Sequence, residues 1–242
     1  MANINNIGLL TGGGDCPGLN AVIRAVVKKA NGSGLRTWGI QNGFGGLVNN
    51  QITELDENKV SGILARGGTI LGTTNRDNPF HFRTLVNGRE TYSDRSAAAV
   101  DNLEKAAIEA LIVIGGDGSI RIGADFITRH GIKIVAVPKT IDNDIPATER
   151  TFGFDTALAV ATDALDRLHT TAESHHRVMI LEVMGRYAGW IALHSGIAGG
   201  ADGILIPEIP YRLEAVLAKI YQRRDHGKCF SIIVIAEGTA PV

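Results

Sequence analysis

One short segment carries residue types that could handle a phosphate group. The segment GGDGS (residues 115–119) directly follows the apolar run ALIVI (residues 110–114). Asp117 is placed where a carboxylate can hold Mg²⁺ directly or through water, and Gly118 leaves the space beside it empty. A structural alternative exists, because Asp and Ser often cap helices and Ser119 could cap the helix that follows.

A second segment, PKTIDNDI (residues 138–145), could accept a proton. Thr140, Asp142 and Asp144 are spaced two apart, so an extended backbone would place their side chains on one side. Two carboxylates this close repel each other, which leaves one to take a hydroxyl proton while the other orients the hydroxyl or a metal. The alternative is a polar turn with no chemical role.

Further glycines and arginines could bind anions. In TGGGDCPGLN (residues 11–20), glycines allow close backbone approach, and the amide groups lead into a helix N-terminus that suits phosphate. The same segment also fits a plain strand-to-helix connection. Arg76, in a glycine-bounded loop, and Arg186, at a strand end, could clamp phosphate. Most arginines, however, are solvated surface residues.

Strands that end in glycine-rich turns and then enter helices predict an α/β fold. We expect a three-layer sandwich of two Rossmann-like lobes, with mainly parallel sheets and a cleft between the lobes. The lobes are predicted at residues 1–153 and 154–242. Between residues 41 and 94 we expect irregular structure and one hairpin around Asn87-Gly88.

Composition narrows the class of protein. The 242 residues are 44% hydrophobic and 20% charged, which indicates a globular chain. Lys and Arg number 24 against 25 Asp and Glu, so no basic surface for nucleic acid is expected. Cys16 and Cys229 form no disulfide framework. We find no signal-peptide pattern and no apolar run of membrane-spanning length, and therefore expect a cytoplasmic protein without membrane partners.

Taken in order, these motifs resemble those of the 6-phosphofructokinase family. The segments TGGGDCPGLN, RGGTILGT, IGGDGS, PKTIDNDI, GFDTA, EVMGRYAG and AEG follow the family's sequence, and the match runs through almost all 242 residues. The resemblance implies a glycolytic kinase that moves the γ-phosphoryl group of ATP to the 1-hydroxyl of fructose 6-phosphate, giving fructose 1,6-bisphosphate. Mg²⁺ is the implied cofactor.

The resemblance also implies roles for individual residues. Asp142 would be the general base, with Thr140 and Asp144 beside it and Arg186 near the transferring group. Asp117 would hold Mg²⁺. The residues implied to face the donor phosphates, in addition to Asp117, are Gly13, Arg76, Gly116, Gly118, Ser119 and Lys139. Those implied to contact the sugar phosphate are Thr140, Asp142, Asp144, Arg177, Met184, Gly185, Arg186 and Glu237.

Arg177 matches a family arginine that reaches the 6-phosphate of a neighbouring subunit's substrate. The resemblance therefore implies a homo-oligomer, a dimer or a tetramer.

Two departures from the family pattern keep alternatives open. Gly118 is typical of members that use ATP, since an Asp there would repel the nucleotide's α-phosphate, whereas Lys139 is typical of members that use pyrophosphate. Family residues downstream of Glu237, a histidine and arginines for the sugar phosphate, are absent from this sequence. The alternatives are thus a pyrophosphate-dependent enzyme and a catalytically incompetent fragment that binds nucleotide.

Overall fold

The computed structural model describes residues 4–242, which form two compact units that divide between Thr140 and Ile141. The first unit contains β1 (Asn6–Gly12), α1 (Leu19–Gly32), β2 (Arg36–Ile40), α2 (Gly43–Val48), β3 (Ile52–Leu55), β4 (Phe82–Val86), β5 (Arg89–Ser93), α3 (Ser96–Lys105), β6 (Ala110–Gly115), α4 (Asp117–His130) and β7 (Lys133–Thr140). The second contains β8 (Phe152–Gly153), α5 (Phe154–His175), β9 (Val178–Val183), α6 (Trp190–Ala198), β10 (Gly203–Leu205), α7 (Leu213–Asp225) and β11 (Ser231–Ala236).

The first unit is built on a sheet with the strand order β3-β2-β1-β6-β7. β1 pairs in parallel with both β2 and β6, β6 pairs in parallel with β7, and β3 is antiparallel to β2. The chain moves outward from β1 in one direction and from β6 in the other, so the strand order reverses between these two strands. Open α/β sheets bind ligands at the carboxyl ends of the strands beside such a reversal.

Aromatic and aliphatic side chains from three helices cover one face of this sheet. The cluster includes Phe44 of α2, Leu103 of α3 and Phe126 of α4, packed with strand residues Leu10 and Val113. The rings of Phe44 and Phe126 are stacked with centroids 5.9 Å apart. Each fully buried Phe or Leu contributes about 1.5–3 kcal/mol of hydrophobic stabilisation, so this cluster fixes the helices that follow the glycine turns.

The second unit has a parallel sheet with the order β10-β11-β9. Its core is formed by small and aliphatic residues of α5, α6 and β11, among them Leu165, Ala192, Ile232 and Val234. The predicted α/β class with mainly parallel sheets is therefore confirmed. Within residues 4–242, no helix combines the length and the apolar character needed to cross a membrane.

The division between the units lies earlier in the chain than the predicted boundary between Gly153 and Phe154. The reason is packing, because the side chain of Ile141 joins the cluster of Phe154, Ala161 and Ile191 in the second unit. The segment that follows β7 therefore packs with α5 and α6.

The region between residues 41 and 94 was only partly predicted. The hairpin is present, with β4 antiparallel to β5 and a turn in which Asn87 and Gly88 both have positive φ. The structure also contains the helix α2 and the strand β3, which were not predicted. The sequence of α2, GFGGLV, has poor helix propensity and no polar face, and burial of all six residues stabilises it instead.

Candidate functional site

Two glycine turns meet at the strand reversal of the first unit. Gly12 at the end of β1 lies opposite Gly115 at the end of β6. Ser119 is 8% exposed, and its side chain lies so close to both turns that a Cβ on Gly12 or Gly115 would overlap it. Glycine is required at both positions for the start of α4 to approach the two strand ends.

The structure corrects the alternative role of Ser119. The helix α4 begins at Asp117, its N-cap is Gly116, and no side chain caps it. Ser119 is thus inside the first turn, and it cannot be the capping residue. The side chain of Asp117 does not cap the helix either, and it forms an ion pair with Arg121.

The turn after β1 is held by the loop at residues 73–74. The amide of Gly13 donates to the carbonyl oxygen of Thr74 at 3.0 Å, and the hydroxyl of Thr73 donates to the carbonyl oxygen of Gly13 at 2.6 Å. Gly13 has a φ of 80°, which favours glycine. The loop that fixes this turn leads directly into Arg76.

Lys139 brings a positive charge to the same turn. It lies on β7, is only 5% exposed, and its ammonium group donates to the carbonyl oxygen of Gly14. Nearby, burial raises the pKa of the Cys16 thiol to about 11, and the charge of Lys139 opposes that rise. A buried ammonium group is costly unless acceptors or anions surround it, so this position suits an anionic ligand.

A cavity of about 600 Å³ opens between these turns. Every residue that the resemblance places at the donor phosphates lines it, together with Thr140: Gly13, Arg76, Gly116, Asp117, Gly118, Ser119 and Lys139. Cavities of this size accommodate drug-sized ligands. The first unit therefore brings together the whole predicted donor set.

Gly118 faces open space within this set. A Cβ added to Gly118 would meet no atom within 4 Å, and the same holds for Gly14. These two glycines differ from Gly12 and Gly115, because no neighbouring protein atom requires them to be small. Their smallness leaves room on the cavity wall.

Arg121, which was not among the predicted site residues, lines the cavity and pairs with Asp117. Its Nε lies 2.9 Å from one carboxylate oxygen of Asp117 and 3.1 Å from the other. The spacing of four residues on a helix was the available signal, since it places the two side chains on one face. The cavity lining includes three cations, Arg76, Arg121 and Lys139, and three carboxylates, Asp77, Asp117 and Asp125.

Asp117 is the candidate protein ligand for Mg²⁺ in this cavity. Across residues 4–242, no group of three or more His, Cys, Asp or Glu side chains could hold a metal ion. In phosphoryl-transfer sites, however, Mg²⁺ is usually held by one or two carboxylates and by the phosphates of the substrate. Asp117 fits that pattern as the single protein carboxylate, with the donor supplying the other oxygens.

The predicted geometry of Thr140, Asp142 and Asp144 is wrong. β7 ends at Thr140, and Asn143 has a φ of 55°, so the segment is not extended and the alternation of side chains is broken. The Asn143 side chain accepts a hydrogen bond from the amide of Thr151 at 2.8 Å, which favours this conformation. Asp142 is half-buried and Asp144 is exposed.

In the second unit, the predicted sugar contacts gather where β9 and β11 end. The amide of Glu237 donates to the carbonyl oxygen of Val183 at 2.9 Å, and the amide of Gly238 donates to the carbonyl oxygen of Gly185 at 3.1 Å. Met184 is 52% exposed, and the guanidinium of Arg186 lies 5.2 Å from the ring centroid of Tyr187. The backbone here is fixed, while the side chains of Met184, Arg186 and Glu237 face outward.

Arg177 lies apart from these residues. It directly precedes β9, whereas Met184 directly follows it, and six extended residues separate the ends by about 20 Å. Within one unit, Arg177 therefore cannot reach a ligand held by Met184 and Arg186.

Known proteins resemble the chain over nearly its whole length. The family model described as phosphofructokinase matches residues 6–241. The ATP-dependent 6-phosphofructokinase 2 of Clostridium perfringens is 56% identical over 243 residues, covering 100% of this chain and 66% of the relative. The ATP-dependent 6-phosphofructokinase of Chloroflexus aurantiacus is 56% identical over 236 residues, covering 97% of this chain and 65% of the relative. The chain thus spans about two thirds of the length of these relatives.

Solved structures support the same assignment. Phosphofructokinase from Pichia pastoris in the T-state has a TM-score of 0.85 and 31% identity, covering 100% of this chain and 27% of that one. A pyrophosphate-dependent phosphofructokinase from Marinobacter aquaeolei has a TM-score of 0.82 at 24% identity, covering 98% of this chain and 62% of that one, and shows the fold alone. With the family motifs gathered at the ends of its strands, the chain belongs to the phosphofructokinase family.

Proposed function

We propose that the chain transfers the γ-phosphoryl group of ATP to the 1-hydroxyl of fructose 6-phosphate, the glycolytic reaction that yields fructose 1,6-bisphosphate. The observation that carries the choice of donor is the open space at Gly118, because a nucleotide needs room there that an acidic side chain would fill. The cavity of about 600 Å³ is large enough for a nucleoside triphosphate. The names of the curated relatives favour the same donor.

In this proposal the first unit binds the donor. The amide groups around Gly13 and Gly116–Ser119 and the cations Arg76 and Lys139 hold the phosphates. Asp117 holds Mg²⁺, which when bound neutralises phosphate charge. Phosphoryl transfer asks the protein mainly to align the reactants and to stabilise negative charge, and these residue types supply both effects.

The second unit, together with Thr140 at the end of β7, binds the acceptor sugar. Asp142 takes the proton of the 1-hydroxyl as the oxygen bonds to the γ-phosphorus, and ADP leaves with the electrons of the broken bond. Thr140 and Asp144 orient that hydroxyl, and Arg186 stabilises the transferring group. Met184, Gly185, Arg186 and Glu237 bind the sugar phosphate.

Arg177 completes the acceptor site of a neighbouring subunit, so the working protein is a homo-oligomer, a dimer or a tetramer. The support is its distance along β9 from the other sugar-binding residues of its own unit. We also propose a cytoplasmic location, since the sequence has two cysteines and no disulfide framework, as is usual in a reducing compartment.

Pyrophosphate is the second candidate donor. Lys139 favours it, because its buried ammonium group lies at Gly14, where a compact diphosphate could bind without any nucleotide. Gly118 opposes it. The two donors can be distinguished experimentally, because each can be supplied without the other.

A coupled assay tests the proposal with the purified chain, fructose 6-phosphate and Mg²⁺, supplied with either ATP or pyrophosphate. We expect turnover with ATP. Turnover with pyrophosphate alone would overturn the donor assignment. Binding of MgATP without turnover from either donor would favour the alternative of a catalytically incompetent nucleotide-binding protein.

A further inference from the structure

The ion pair between Asp117 and Arg121 joins two residues of the donor cavity. Nε of Arg121 contacts both carboxylate oxygens of Asp117, at 2.9 and 3.1 Å. Asp117 is also the carboxylate that would hold Mg²⁺. A divalent cation at this carboxylate would compete with the guanidinium of Arg121 for the same oxygens, because the two positive charges repel each other.

The pair can be opened readily. The side chain of Arg121 is 78% exposed and that of Asp117 is 50% exposed. Exposed pairs of this kind add little net stability, because water solvates both partners when they separate. Opening this pair therefore opposes ligand binding only slightly.

Among the cations that line the cavity, Arg121 is the one on α4. At 1.5 Å per residue, its Cα is about 6 Å along the helix axis from that of Asp117. Lys139 instead points to Gly14, and Arg76 follows the loop that holds the turn at Gly13. A donor phosphate beside the open space at Gly118 would meet the guanidinium of Arg121 from the helix side.

We propose that Arg121 is a donor-binding residue that exchanges partners. Without a ligand it pairs with Asp117; with the donor and its divalent cation bound, Asp117 would hold the cation and the guanidinium of Arg121 would bind a phosphate beside Gly118. This inference rests on the proposed function, in which the donor is a nucleoside triphosphate bound with a divalent cation.

The test compares Arg121→Gln with Arg167→Gln. Arg167 forms a matched pair with Asp163, also four residues apart on a helix, at 2.8 Å and with side chains 77% and 62% exposed. Arg167 does not line the donor cavity. Each protein is titrated with Mn²⁺ alone, followed by electron paramagnetic resonance, and with MgATP, followed by calorimetry.

We expect Arg121→Gln to change the two affinities in opposite directions. MgATP should bind about tenfold more weakly, because a charge-assisted contact to phosphate is lost. Mn²⁺ alone should bind about twofold to threefold more tightly, because Asp117 no longer has a competing cation. Both affinities of Arg121→Lys should lie between those of Arg121→Gln and those of the unmodified chain. Arg167→Gln should match the unmodified chain.

Three results would overturn the inference. Unchanged MgATP affinity in Arg121→Gln, with normal binding by the unmodified chain, overturns the donor contact and leaves the proposed function standing. Weaker or unchanged Mn²⁺ binding overturns the exchange. Failure of the unmodified chain to bind MgATP would overturn the proposed function and this inference with it.

Discussion

Glycines end strands in both units, but their surroundings differ. In the first unit, Gly14 and Gly118 face open space in a cavity, while Gly12 and Gly115 face the side chain of Ser119. In the second unit, a Cβ on Gly238 would overlap the backbone of Arg186.

The difference separates two roles that look alike in the sequence. A glycine against backbone or a buried side chain allows two segments to approach, so its substitution changes stability. A glycine beside a cavity makes room for a ligand, so its substitution changes binding. By this criterion the first unit carries the proposed donor site, and the strand ends of the second unit form a rigid support for outward-facing side chains.

The largest expected effect is on kcat, and it tests whether donor binding and proton transfer belong to different units. Asp142→Asn should lower kcat by about 10²- to 10⁴-fold, because the sugar hydroxyl loses its proton acceptor. MgATP affinity should stay unchanged, because the donor cavity lies in the first unit. Steady-state kinetics and calorimetry measure the two quantities, and an unaffected kcat would remove Asp142 from the role of base.

The next effect tests the close packing of the second unit. Gly238→Ala should reduce the free energy of unfolding by about 3 kcal/mol, because the new methyl group overlaps backbone that cannot move away cheaply. Urea denaturation measures it. The control is Gly32→Ala at the end of α1, where a Cβ meets no atom within 4 Å and the expected change is below about 1 kcal/mol. Equal effects in both variants would contradict the distinction between packed and open glycines.

The rates at which the two cysteines are modified compare the turn after β1 with the surface of the second unit. Cys16 is buried and burial raises its pKa to about 11, whereas Cys229 is exposed. Below pH 11 the Cys16 thiol stays protonated and unreactive, and the thiolate appears only as the pH rises through that value. At pH 8, iodoacetamide should modify Cys16 about a hundredfold more slowly than Cys229. Mass spectrometry of timed samples gives both rates, and similar rates would show that the turn is open.

The smallest effect tests packing within the first unit. Gly12→Ala should lower the free energy of unfolding by about 2 kcal/mol, because the methyl group collides with Ser119. Adding Ser119→Ala removes the nearest atom and should recover about 1 kcal/mol of that loss. A double-mutant cycle by urea denaturation measures the coupling, and strictly additive effects would argue against the contact.

Much of the donor site could be predicted from the sequence, because parallel strands place their carboxyl ends at one edge of the sheet. Gly13, Asp117 and Lys139 are far apart in the chain but follow or end neighbouring strands, and they line one cavity. Arg121 was missed because a charged residue on a helix is ordinarily a surface residue, and only its spacing from Asp117 distinguished it.

The remainder depended on local backbone conformation and burial. The positive φ of Asn143 ended the alternation expected of Thr140, Asp142 and Asp144, and spacing in the sequence does not reveal such a change. The helix at Gly43–Val48 has three glycines and depends on its buried environment. In both cases tertiary contacts overrode the local pattern.

The central claim is that Gly118 leaves room for a nucleotide. The most direct measurement is calorimetric titration of Gly118→Asp with MgATP, with Gly118→Ala as the control and urea denaturation of each variant. The account predicts that Gly118→Asp binds MgATP at least about tenfold more weakly while its free energy of unfolding changes by less than about 0.5 kcal/mol. Gly118→Ala should change both quantities little. MgATP affinity in Gly118→Asp equal to that of the unmodified chain would contradict it.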